Sequence, residues 1–347
     1  MRHTKKLLIL LLVAVMSVSL GVLACAPAPA PTPAEPEFHW RYQVAYAASD
    51  GSFLVEAEGI ARLIEEASEG RIKVDTYPVG ALVAPEEIFS AVLDGAIELG
   101  LNLSSAEGEM IPSAYCLSLS GGSQDLSEAY ELVYNRGLFE IVQEAYQELG
   151  VYYLVGTFSG RIVLSAQFKA NSWDVFEGTK GWATPPTQPV LTELGAVCVA
   201  VPGYDMYSAM KLGTIDWYEW TIAELETLGW KEVVQSVLIS PITMIGVNNT
   251  LVNAKAWEAI GPKLQQKIQN ALIDNVMDLG LQKNEMDDKA IAAAKEYGVE
   301  IVEMSEADLA RFIIVCAETW DYTAEMSPRA AESVRIAKEY LRSLGRL

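Results

Sequence analysis

The chain has 347 residues, enough for two ordinary domains with cores of their own, and its 46 acidic against 25 basic residues leave a net charge of −21. So acidic a surface repels nucleic acid and anionic lipid headgroups, so neither is an expected partner. The only two histidines, His3 and His39, both lie near the start, which excludes a Ser-His-Asp or Cys-His device and a zinc cluster from the body of the chain.

Arg2, Lys5 and Lys6 precede an apolar run over 7–15, and small residues then lead to Leu23, Ala24 and Cys25. A basic start, a short apolar core and a small residue before the cut mark an export signal over 1–24. The apolar core is too short for a spanning helix. Cys25 directly after Leu-Ala resembles the bacterial lipobox, in which that Cys is lipidated, so Cys25 is the expected lipid-attachment site. An ordinary cleaved signal or an uncleaved anchor would export the remainder equally well. The Ala-Pro repeat that follows cannot form a helix, because each Pro lacks the N–H donor. Residues 25–37 therefore read as a semi-rigid tether standing the body off a membrane.

The pattern predicts a strand over 41–47, a turn at Ser49 to Ser52, and a helix over 53–69 stopped by Gly70. Alternation around Ile72 and Val74 predicts a strand over 71–77. A helix over 85–93 with Pro85 at its start and Gly95 at its end follows, then a strand over 97–103. A long amphipathic helix is expected over 126–149 and a strand over 151–158. The second part repeats the alternation, with strands over 162–166, 197–201 and 215–220 and a helix over 206–212. Residues 255–300 and 305–345 read as almost wholly helical. Alternating strands and helices imply an α/β architecture with a mainly parallel sheet. Cys116, Cys198 and Cys316 are far apart and read as buried free thiols, with one long-range disulfide as the alternative.

Several stretches then occur in a familiar order. Asp-Thr-Tyr-Pro-Val-Gly-Ala-Leu-Val at 75–83 precedes Glu-Ile-Phe-Ser-Ala-Val-Leu-Asp-Gly-Ala-Ile at 87–97, and Gly-Arg-Ile follows at 160–162. Phe-Glu-Gly-Thr-Lys-Gly-Trp stands at 176–182, Leu-Gly-Ala-Val at 194–197, Gly-Tyr-Asp-Met-Tyr-Ser-Ala-Met at 203–210 and Gly-Thr-Ile-Asp-Trp-Tyr-Glu-Trp at 213–220. In order and spacing, over about 41–344, they resemble the DctP-like solute-binding proteins of TRAP transporters, in the branch similar to 2-oxo acid binders. The resemblance implies a periplasmic-binding-protein-like fold. Its two α/β domains, 38–160 plus about 246–285 and 161–245 plus about 286–347, would be joined by crossing hinge strands and braced by a long C-terminal helical region. It also implies an extracytoplasmic, lipid-anchored binding protein, monomer or homodimer. Such a protein captures a small organic ligand, by preference a carboxylate, in an interdomain cleft and hands it to a TRAP membrane permease. No reaction and no cofactor is implied, although the branch brings a Na or Ca ion beside the ligand, and Glu219 is the residue that would help hold it.

One departure matters. The family's carboxylate-gripping Arg aligns with Trp182, which offers a flat face and one N–H but no charge. Arg161, at a position where the branch often has a Gln near the cation, is the expected substitute, either gripping the ligand carboxylate or replacing the metal and pairing with Glu219. Trp182, Glu219 and Trp220 are the other expected site residues from the resemblance. Trp217 and Tyr218 alternate with them along the strand and fill either core or cleft. Strand and loop ends add Tyr46, Ser49, Asn102, Ser104, Asn248 and Asn249. Aromatic faces beside an acid equally suit a cationic ligand, and that reading stays open here. Two other functions compete: a surface hydrolase using paired carboxylates, for which no local motif exists, and a ligand-sensing surface lipoprotein serving a signalling partner.

Overall fold

The structure, a computed structural model, describes residues 35–239 and 245–347. The expected signal segment, Cys25 and the tether up to residue 34 lie outside those residues. The strands are β1 (Phe38–Val44), β2 (Ile72–Tyr77), β3 (Leu99–Leu103), β4 (Val151–Ala166), β5 (Lys180–Trp182), β6 (Val197–Cys198), β7 (Trp217–Thr221), β8 (Ser236–Ile239), β9 (Ile245–Asn253) and β10 (Glu300–Glu303). Those ahead of β4 pair in parallel, with β1 between β2 and β3. In β2, Ile72 and Val74 are buried while Lys73 and Asp75 face solvent, the two-residue period of a half-buried strand.

β4 decides the architecture. Its first part pairs antiparallel with β9, which pairs antiparallel with β3 and so closes the first sheet. Its last part, Ile162–Ala166, pairs with β7, and residues 164–166 pair with β8 on the other side. Parallel pairings of β7 with β5, β5 with β6, and β8 with β10 complete the second sheet. A single 16-residue strand therefore belongs to both sheets. The two strands expected over 151–158 and 162–166 are one, because Gly160 and its neighbours stay extended instead of turning.

Two more expectations change. The helix expected over 126–149 is broken: Leu126–Tyr130 runs into a wide turn, Glu131–Asn135, and a separate helix, Leu138–Glu148, starts after Gly137 at φ +91°. That backbone angle is easy for glycine and interrupts the regular 3.6-residue path. The strand expected over 197–201 shortens to β6, with two residues.

Pro262–Tyr297 is a helix of 36 residues, about 54 Å long at 1.5 Å per residue. It packs on β4, on the Gly59–Ala67 helix, on the short Glu224–Thr227 helix and on β10, so it touches elements of both sheets. Its buried stripe begins with Leu264, Ile268, Leu272, Val276 and Leu279 and then continues through Lys283 and Asp287. After β10, the Glu306–Met326 helix stacks Phe312 on Trp173 with ring centroids 4.7 Å apart, beside the second sheet. The Pro328–Ser343 helix returns to the first, where Arg329 makes two hydrogen bonds with Glu148 at 2.6 and 2.7 Å. The C-terminal helices thus brace the molecule by their packing. Cys116, Cys198 and Cys316 are free thiols. No helix among the described residues is long and apolar enough to cross a membrane.

Candidate functional site

Where β4 leaves one sheet for the other, its pairing with β9 slips between Phe158 and Arg161. A bulge of this kind frees residues from the ladder and re-aims their neighbours. Ser159 and Gly160, released there, line a cavity of about 720 Å³ with its mouth included. Gly160 is required by the close approach of the long helix: a Cβ built on it would lie 2.7 Å from Asp287 Oδ1. The first-sheet side supplies Tyr46, Ser52, Ser104 and Asn248 to the cavity wall, and the second-sheet side supplies Thr184, Glu219, Trp220 and Glu224. Lys283 enters from the long helix.

Behind the first wall lies a buried ion pair. Lys283 Nζ is 2.6 Å from Glu56 Oε2, with the side chains 3% and 0% exposed. The ammonium sits off the direction of a linear hydrogen bond, so the contact is an ion pair whose protons have no well-aligned acceptor. Asn248 Nδ2 donates to both Glu56 oxygens at 2.9 and 3.1 Å, and the Thr157 hydroxyl donates to Glu56 as well. These donors fix the Asn248 amide orientation and leave its buried Oδ1 without a partner. Lys283 Nζ also lies 5.4 Å from the Tyr46 ring centroid, within cation–π range.

The second wall is different. Glu219 accepts from the Thr184 N–H at 2.7 Å, from the Thr184 hydroxyl at 2.8 Å and from the Thr187 hydroxyl at 2.8 Å. Burial still raises its carboxyl above the ordinary value, against those three donors. Glu224 accepts from the Thr221 hydroxyl, and burial with the nearby charge of Asp50 pushes its carboxyl up to about 8. Neither acid has a basic side chain within ion-pair distance among the described residues. The flat face at this wall is Trp220, with Trp182 behind it at 5.2 Å between ring centroids and Trp230 at 5.9 Å on its other side.

The structure brings Tyr46, Ser104, Asn248, Glu219 and Trp220 together around the cavity. It places others elsewhere. Arg161 is the main correction: its guanidinium pairs with the exposed Asp288 at 2.7 Å, and its backbone N–H donates to Asp287 Oδ2 at 2.7 Å. The expected pair with Glu219 does not form, because Thr184 and Thr187 already bond that carboxylate. The side chain of residue 161 follows the strand back onto the outer surface of the long helix once the bulge has re-set the alternation. Ser49 is exposed on its turn, and Ser52 three residues on reaches the cavity instead. Asn102 is buried below the wall, donating to Glu107 Oε1 at 2.9 Å, and Asn249 donates to Tyr146 Oη at 2.8 Å. Trp182 supports Trp220 from the second row. Trp217 and Tyr218 are core, at 0% and 1% exposed.

Lys283, Glu56 and Glu224 were missed by sequence reasoning. A signal existed for the first two. Lys283 and Asp287 continue the helical stripe of Leu272, Val276 and Leu279, and Glu56 continues that of Ala57, Ile60 and Ile64. A charge at a core position of a helix points to a buried partner.

The family model of the bacterial extracellular solute-binding proteins, family 7, matches residues 44–326. Among curated proteins, a monocarboxylate 2-oxoacid-binding periplasmic protein of a Nostoc species is 24% identical over 276 residues, 78% of this chain and 75% of that one. Among solved structures, a TRAP periplasmic solute-binding protein from Desulfovibrio salexigens with bound orotic acid superposes with a TM-score of 0.79 at 18% identity, covering 88% of this chain and 99% of that one. Another, from Chromohalobacter salexigens with bound (S)-(+)-2-amino-1-propanol, gives 0.75 at 22% identity, covering 89% and 96%.

Proposed function

The chain belongs to family 7 of the bacterial extracellular solute-binding proteins, and we propose that it captures one small organic solute in the cavity at the β4 crossover and delivers it to a TRAP-type membrane permease. It is a binding protein of the TRAP periplasmic type, not an enzyme. The observation that carries the capture reading is a mostly apolar cavity with a few polar side chains whose walls come from both sheets, because a ligand touching both favours the arrangement that closes around it. Two lobes, 38–160 with about 246–285 and 161–245 with about 286–347, would then move about the strands that cross between the sheets. Within that division the Pro328–Ser343 helix is the exception: it packs beside the first sheet and would travel with the first lobe, leaving about 286–327 to the second.

Relatives in this fold bind a 2-oxo acid, orotic acid or an amino alcohol, so the frame admits both acids and amines. A carboxylate ligand would have to use Lys283 and the hydroxyls of the first wall, since Arg161 is engaged outside. Cys25 would carry the lipid anchor, with the tether holding the body at the outer face of the cell membrane. Native mass spectrometry of the chain as purified tests capture directly: a single small organic mass released on denaturation is the expected result. Tryptophan emission should change when that solute is returned, because Trp220 lines the cavity. Uptake of the same solute into vesicles that hold the permease, dependent on this protein, tests delivery. Intact mass of the chain extracted from membranes tests the anchor: a chain that does not begin at a lipid-modified Cys25 would end the lipid-anchor reading.

A further inference from the structure

The charges of the cavity do not balance, and the imbalance has a direction. Its one basic side chain among the described residues, Lys283, is matched by Glu56. Two carboxylates, Glu219 and Glu224, remain in the wall at 3% and 2% exposure with hydroxyl and N–H donors but no countercharge. A buried carboxylate without a countercharge is costly, so such a group is protonated or awaits a cation. A second observation points the same way. Asn248, in the opposite wall, has a buried Oδ1 without a donor and is 1% exposed by residue. A buried acceptor with no donor, on a residue that lines the cavity, is satisfied when a ligand N–H or O–H reaches it. Trp220 adds an aromatic face of the kind that attracts an organic cation.

Building on the capture reading above, we infer that the solute is a small amine bound as its ammonium, with Glu224 and Glu219 as its counterions, Trp220 against its carbon skeleton and Asn248 Oδ1 accepting one of its protons. The hydroxyls of Ser104, Ser159 and Thr184 line the same space and suit a ligand that also carries a hydroxyl. Behind Trp220 stands the uncharged ring of Trp182, which puts no cation behind that face to repel an ammonium. Burial that favours the neutral carboxyl at Glu224 also means that a glutamine there is tolerated by the fold.

The test is isothermal titration calorimetry of the full chain with 2-aminoethanol and n-propylammonium against pyruvate and propionate, probes of similar size and opposite charge. The ammonium probes should bind and the acids should not. Glu224→Gln should weaken the ammonium probes by about 10- to 100-fold, the scale of losing one charged hydrogen bond. Glu224→Asp, which keeps the charge, should recover part of the affinity, and both variants should unfold in one cooperative transition at pH 5, where Glu224 is protonated in the parent. Pyruvate or propionate binding while both amines stay silent overturns the assignment and leaves capture intact. So does amine binding that Glu224→Gln does not change. Silence from all four probes also overturns it, and the native mass spectrum of the same sample then reads separately whether any solute is captured.

Discussion

The two walls of the cavity are built from similar residue types and reach opposite states. The first wall holds Glu56, Lys283, Asn248 and Thr157 in a network where the charge of each ion is met inside the protein. The second holds Glu219 and Glu224 on threonine donors, with no cation in reach. The difference separates scaffold from receptor. A neutralised buried pair holds the long helix against the Phe53–Glu58 segment that leads into the Gly59–Ala67 helix and asks nothing of a ligand, whereas acids left without a countercharge make a surface that gains most when a cation arrives.

The largest effect expected from breaking this contrast lies in the first wall. Lys283→Met should destabilise the fold by about 3–5 kcal/mol, because it strands Glu56 as an uncompensated buried charge. The double variant Glu56→Gln with Lys283→Met should recover much of that, and urea unfolding of the four proteins measures the cycle. A double variant no more stable than Lys283→Met alone would mean that the network is not neutralised as described. Gly160→Ala comes next, at about 1–3 kcal/mol, from its Cβ meeting Asp287 at the crossover. Thermal melts report it.

Stability should also depend on pH with a definite sign. Burial raises the Glu224 carboxyl to about 8 and that of Glu107 to about 7, both above their unfolded value of 4.5. A raised acid binds its proton more tightly in the folded state, so its contribution is complete below pH 4.5 and is lost as pH rises through 7 to 8. Every tenfold gain in proton affinity on folding corresponds to about 1.4 kcal/mol. Melting temperature should therefore fall between pH 5 and 8 in the ligand-free protein, and Glu224→Gln should flatten the upper part of that decline. An unchanged slope in the variant would remove Glu224 as a source. The smallest effect belongs to Arg161→Gln: its partner Asp288 is exposed, so stability should move by about 0.5 kcal/mol or less and solute affinity should not move. A lost affinity there would return Arg161 to the site.

The legible and illegible parts of the site follow from this geometry. Trp220 and Glu219 were reached through the resemblance of residues 213–220 to the family pattern. Tyr46 and Asn248 were readable because strand and loop ends present polar groups to a cleft. Arg161 was misplaced because one bulge between Phe158 and Arg161 shifts the alternation, and a shift of a single residue turns a side chain to the opposite face. Asn102 was misplaced because Glu107, five residues later, folds back to take its amide. Glu224 carries no sequence mark: one acid among 46 becomes special only when a short helix carries it out of solvent.

Sequence by itself determined the class of architecture, since hydrophobic periods of two and near four residues along the chain dictate which segments become strands and which become helices. It also determined the exclusions, because chemistry that needs histidine cannot be built without it. Tertiary structure alone decided which charges face the cavity. That outcome depends on pairings between residues such as Glu56 and Lys283, far apart in the chain and joined only when the long helix lies across both sheets, and no local pattern encodes who neutralises whom.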